Sequence, residues 1–142
     1  MNIQNLYDFA HRRDIEVLTY PMKENGSMSI MDEKGNCTIG MDAGIQDGGR
    51  KERVHLAHEL GHCATGSFYN RYAAVECRQR HENRADKWAI RKLIPVTALD
   101  DAVAEGCTEI WALSERFGVT ETFMRKALCY YVHGNLATEL YF

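Results

Sequence analysis

Apolar residues at Ile3, Leu6, Tyr7, Phe9 and Ala10 recur at the spacing of one helical face and predict a short first helix ending near Arg13. Residues 15–20 then read as a strand stopped by Pro21. Turn signals at Asn25-Gly26 and Lys34-Gly35-Asn36 bracket a second strand over 27–31, and a third covers 37–41, which predicts an antiparallel meander of about three strands. Asp47-Gly48-Gly49 breaks the pattern. Residues 50–64 follow as a helix with Val54, Ala57, Leu60, Gly61 and Ala64 along one side. After a loop over 66–70, a long helix runs from about Val75 to Leu93 and stops at Pro95. Residues 96–133 are helical, punctuated by Gly106 and Gly118, and Gly134-Asn135 marks the end. Helix, small sheet, then helices is the order of an α+β fold. The expectation is one domain over 1–142, with the sheet and the chemistry in 1–95 and a helical part in 96–142.

Composition narrows this picture only modestly. The chain has 142 residues, 45% apolar and 26% charged, with a net charge of −3, so no strong global field for nucleic acid or anionic membrane is expected. Charge is uneven, with seven basic against three acidic residues over 71–92 and three against seven from 97 onward, a pattern that solvated faces explain. The five cysteines (37, 63, 77, 107 and 129) are odd in number, widely spaced and never C-x-x-C. They predict neither a disulfide framework nor a zinc ribbon, but small core residues. No signal peptide pattern and no run of 18 apolar residues occurs, which makes a cytoplasmic protein the expectation.

The informative segment is His58-Glu59-Leu60-Gly61-His62. Residues i and i+4 share a helix face, so both imidazoles can reach one metal ion. Glu59 is rotated away from that line and can take a proton from water at the metal's open position. Gly61 costs about 1 kcal/mol in a helix interior relative to Ala, which hints that another element passes close by. His55 shares the stripe, but it lies about 10.5 Å along the axis from His62, too far for one ion to hold both. It is expected to support the site indirectly or, preferably, to sit on the surface.

A catalytic zinc needs a third protein ligand. Glu76, Cys77, His81 and Glu82 are the downstream candidates. Glu82 is favoured, because Glu82, Ala85, Ala89 and Leu93 form an inward stripe with Asp86 and Ile90 beside it. Two inward carboxylates one turn apart need a partner, and zinc with its histidines suits them. Asp86 can then accept a hydrogen bond from a ligating imidazole. His81 stays open as a ligand, although it points about 100° away from the stripe.

H-E-L-G-H, followed by E-N-R-A-D-K-W-A-I-R-K-L-I-P from Glu82 to Pro95, resembles the ImmA/IrrE family of zinc metallo-endopeptidases. The specific part of the resemblance is residues 54–95. Trp88 stands where the family usually has Phe, and Leu93-Ile94-Pro95 is one residue tighter than the common ending. The resemblance implies a minimal zincin-like metallopeptidase domain, with zinc held by His58, His62 and Glu82, Glu59 as the catalytic residue and Asp86 supporting a ligand. It also implies a substrate: a helix-turn-helix repressor of a phage or mobile element, which the protein would inactivate as an anti-repressor.

Four points stay open on residues alone. The oxyanion donor could be Tyr69, Tyr72, His81 or His133, and residues 37–41 could be the edge along which a substrate pairs. Residues 110–128 resemble a helix-turn-helix, but the would-be recognition helix carries only Arg125 and Lys126, beyond its first turn, so a packing motif is preferred to a DNA reader. A zinc-containing protein that binds its target without cleaving it is the remaining alternative.

Overall fold

The computed structural model describes residues 2–69 and 72–136. Among them, helix α1 (Ile3–Arg12) is followed by strands β1 (Glu16–Thr19), β2 (Ser27–Met31) and β3 (Cys37–Met41). A short 3-10 turn then leads to α2 (Arg50–Thr65), α3 (Val75–Leu93), α4 (Val96–Ala104), α5 (Ile110–Phe117) and α6 (Glu121–His133). Every element predicted from periodicity is present, within about two residues at its ends.

The sheet departs from the expected meander in its order. The strands lie β1-β3-β2, with β3 parallel to β1 and antiparallel to β2. Their directions alternate along the chain as a meander's would, but β3 inserts between the other two. The reason is visible in burial: Cys37, Ile39 and Met41 are all buried on one face of β3, whereas β1 and β2 each expose most of their residues. The strand with the strongest apolar face takes the centre and the polar ones take the edges. This corrects the proposed substrate edge as well, since β3 has no free edge and β2 does.

Leu6, Phe9 and Ala10 of α1, Leu56 and Leu60 of α2 and Ile90 and Leu93 of α3 meet Ile39 and Met41 in the core. At its start, α2 is tied to α1 through Glu52, which accepts hydrogen bonds from Tyr7 Oη at 2.6 Å and from the Gly48 amide at 2.8 Å. Burial and this carboxylate push the Tyr7 hydroxyl up to about 12. The α5–α6 unit packs inward through Leu113, Val119, Phe123, Met124 and Ala127. Its turn is made by Gly118, in the left-handed region at φ +66°, whose carbonyl accepts from Arg53 Nη1 at 2.9 Å. The helix-turn-helix-like segment is thus fastened to α2 and fills the core.

The cysteine expectation requires a correction. Cys37 at the start of β3 and Cys63 near the end of α2 form a disulfide, with Cα atoms 6.0 Å apart. The pairing joins positions remote in sequence, which spacing alone does not reveal. Disulfides are more usual in oxidising compartments, so the cysteines lend the cytoplasmic expectation no support. No helix among the described residues is long and apolar enough to cross a membrane.

Gly61 shows why α2 and α3 can make so close a pair. A Cβ there would lie 2.5 Å from the Ala85 carbonyl oxygen and 3.0 Å from the Ala85 Cα, so the helices touch backbone to backbone. At an exposed helical site Gly→Ala gains about 1 kcal/mol. Here Gly61→Ala is expected to lose about 1–3 kcal/mol in chemical unfolding, because backbone cannot yield as a side chain can. A stabilised variant would show that the two helices are not packed this tightly.

Candidate metal centre

Helix α2 supplies His58 and His62 from one face, and α3 supplies Glu82 from the turn opposite. One ligand atom from each lies within 4.8 Å of the others. The Nε2 atoms of His58 and His62 are 3.2 Å apart, and Glu82 Oε2 stands 2.7 Å from the first and 3.3 Å from the second. Three donors of the kind that zinc prefers therefore converge, as the sequence predicts.

The far side of each imidazole is also fixed. His58 Nδ1 donates to Asp86 Oδ1 at 2.7 Å, and His62 Nδ1 donates to the Ser67 carbonyl at 2.5 Å. These bonds select the tautomer that leaves Nε2 turned to the shared point. Asp86 is held in turn by Lys126 of α6, whose Nζ lies 3.1 Å from Oδ2. Tyr69 Oη donates to Glu82 Oε1 at 2.8 Å. A donor set of two oriented imidazoles and an oriented carboxylate fits a divalent metal ion.

Glu59 is buried and directed to the sheet side. Ser27 Oγ donates to its Oε2 and Ser29 Oγ to its Oε1, both at 2.8 Å. Ser27 Oγ also lies 2.8 Å from His55 Nδ1. His55 is therefore half-buried and hydrogen-bonded, not the surface residue that the spacing argument preferred. A cleft of about 530 Å³ opens over the cluster, lined on one side by Asn25, Ser27, Met28, Ser29 and Ile30 and on the other by Phe68, Tyr69 and Glu82. Residues from both faces of β2 border it, so it runs along that strand's free edge.

Of the four oxyanion candidates, only Tyr69 lines this cleft. His81 stacks on the Tyr69 ring, and among the described residues its buried Nδ1 has no hydrogen-bond partner, which places it beside the site rather than in it. Tyr72 is 80% exposed, and His133 lies at the end of α6. Glu76 is exposed, and Cys77 is a free cysteine outside the cluster. Ser27, Ser29, Ser67 and Lys126 were not legible in the sequence. The only hint was the S-x-S alternation in a strand, too common a pattern to single out.

Electrostatically, the two imidazoles and the two carboxylates favour one another's charged forms. Burial disfavours a charged His58, but hydrogen bonds to Asp86 and Glu82 prevail and push it up to about 10. His62 is also raised, against its burial, by Glu82 and the Ser67 carbonyl. Burial would raise Glu82 and Asp86, yet the imidazoles hold both below their ordinary values. A group raised on folding stabilises the protein below its unfolded value, 6.5 for His58, and that contribution fades as pH climbs to about 10. The lowered carboxylates stabilise above their unfolded values, 4.5 and 3.8, and lose this on acidification. The chelated, metal-free protein is thus expected to be most stable between about pH 4.5 and 6.5 and to lose melting temperature towards pH 10. A flat or rising profile above pH 6.5 would show that no proton is held between these groups.

No curated protein matches the chain significantly. A family model described as the IrrE N-terminal-like domain, Peptidase_M78, matches residues 47–128. That span runs from the Gly-rich lead into α2 as far as α6, and so contains His58, Glu59, His62, Glu82, Asp86 and Lys126. Motif, cluster and family model agree, and the chain belongs to the IrrE N-terminal-like peptidase family.

Proposed function

We propose that the protein is a zinc-dependent endopeptidase whose metal is held by His58, His62 and Glu82, with Glu59 as its catalytic base. The observation that carries this reading is the convergence of the three donors at the floor of a cleft that runs along an open strand edge. Zinc, when bound, supplies a Lewis acid that acidifies water and polarises a carbonyl. Glu59 takes the proton of the attacking water and passes it to the leaving amine. Asp86 and the Ser67 carbonyl keep the imidazoles in register during these steps. Tyr69 carries a hydroxyl into the cleft and is the donor placed to stabilise the oxyanion, exchanging its bond to Glu82 for one to substrate.

The substrate is a segment of another protein in extended form. Such a segment adds as a strand to the free edge of β2, where main-chain hydrogen bonds supply affinity for any sequence. A helix-turn-helix repressor of a phage or mobile element is the target that the family resemblance suggests, in a cytoplasmic setting. Its cleavage would release the genes that it silences.

Protein purified without added metal is expected to carry about one zinc per chain, lost in His62→Ala and in Glu82→Ala, by atomic absorption. Glu59→Gln should keep the zinc and fail to cut a co-expressed helix-turn-helix repressor that the wild type cuts, losing on the order of 100-fold or more in rate. If Glu59→Gln still lifts repression as the wild type does, the protein works by binding and the hydrolytic reading is wrong.

A further inference from the structure

A glutamate on a helix has three rotatable bonds, so a base that must meet a water at one point has to be held there. Among the described residues, the hydrogen bonds that hold the Glu59 carboxylate come from β2. Both its carboxylate oxygens are occupied by hydroxyls from β2: Ser27 on Oε2 and Ser29 on Oε1. An ionised carboxylate only accepts, so both serines donate their single protons to it. Ser27 then has only lone pairs to offer His55, and His55 Nδ1 must be the donor across that 2.8 Å contact. His55 thereby fixes the direction of one hydroxyl, and the strand fixes both.

Strand pleating explains how two residues can do this together. Ser27 and Ser29 are two apart and project to the same face of β2, the face turned to α2. Their positions are set by the antiparallel register with β3, Ser27 opposite Met41 and Ser29 opposite Ile39, both fully buried. A slip of one residue would turn both hydroxyls away.

We infer that Ser27 and Ser29 are positioning residues for the base: they lock the Glu59 carboxylate in its working orientation, with His55 setting the Ser27 hydroxyl. The inference rests on the hydrolytic reading above. It also makes one strand perform two tasks, since the edge of β2 that receives the substrate backbone carries the hydroxyls that aim the base. Substrate pairing uses main-chain atoms at the strand's edge, and the serines act from the face behind it. The two tasks are therefore separable by side-chain substitution.

The test uses the zinc-loaded full chain, a quenched-fluorescent peptide pool as substrate, and high-resolution crystal structures of each variant. Ser29→Ala is expected to lower kcat on the order of 10- to 100-fold, with KM within about twofold and zinc content unchanged. Ser29→Thr, which keeps the hydroxyl on a strand-favouring side chain, should restore most of the rate. In the crystals, Glu59 should occupy one conformer in the wild type and in Ser29→Thr, and more than one in Ser29→Ala. Ser27→Ala serves as the second variant if Ser29→Ala folds poorly. A kcat within about threefold of wild type in the alanine variants, while Glu59→Gln is inactive, would overturn the inference and leave the peptidase standing. If wild type and Glu59→Gln are equally inactive, the hydrolytic reading fails instead. The Glu59 conformers then decide alone, and a single conformer in both alanine variants rejects the positioning role.

Discussion

The contact on which the rest of this molecule depends is the backbone-to-backbone approach of α2 and α3 at Gly61 and Ala85. Helices in ordinary contact lie 8–10 Å apart, with side chains between them. Removing the side chain at the crossing brings two imidazoles from one helix and a carboxylate from the other within reach of one ion. The glycine that reads as a defect in helix propensity is the condition for the site. Its cost of about 1 kcal/mol is small beside what three converging ligands can gain from a metal.

That approach creates an electrostatic problem, because it draws Glu59, Glu82 and Asp86 into a partly buried space. The chain answers it with one partner for nearly every polar atom. Lys126 meets Asp86, Asp86 meets His58, Glu82 takes both imidazoles and Tyr69, and the two serines take Glu59. Lys126 explains why a helix-turn-helix-like pair stands so near the His58–His62–Glu82 cluster. One of the two cations on its second helix is spent on Asp86, the charge behind His58. A side chain so engaged, in a segment that buries Leu113, Val119, Phe123, Met124 and Ala127, contributes to the support of the cluster.

How much of this was legible follows from the range of each interaction. Helices α2 and α3 and the His58–His62–Glu82 cluster were legible because their signals are local: spacings of three, four and seven residues place groups on one face whatever the rest of the fold does. The order of the strands was not, because a period of two shows which face of a strand is buried and not which neighbour it takes. Burial of Ile39 and Met41 decides that, and burial depends on α2 being in place. The Cys37–Cys63 bridge, the Ser27–His55 bond and the Lys126–Asp86 pair each join residues more than 25 positions apart. Isolated serines, one histidine and one lysine carry no pattern that would expose such pairings.

The long-range contacts also fall into an order of their own. His55 meets Ser27, Glu59 meets Ser27 and Ser29, and Cys63 meets Cys37, which stands opposite Met31. Progress along α2 from 55 to 63 is therefore matched by progress along β2 from 27 to 31, so the helix runs parallel to the edge strand. The lengths agree: the helical stretch spans about 12 Å at 1.5 Å per residue. The strand stretch spans about 14 Å at 3.4 Å per residue. Helix and sheet are thus fastened at both ends of the histidine motif, by hydrogen bonds beside His55 and by a covalent bond beside His62. Glu59 lies between the fastenings. A base on a helix can be aimed by an edge strand only if the two cannot slide past each other, and two anchors on either side of it meet that condition where one would leave a pivot.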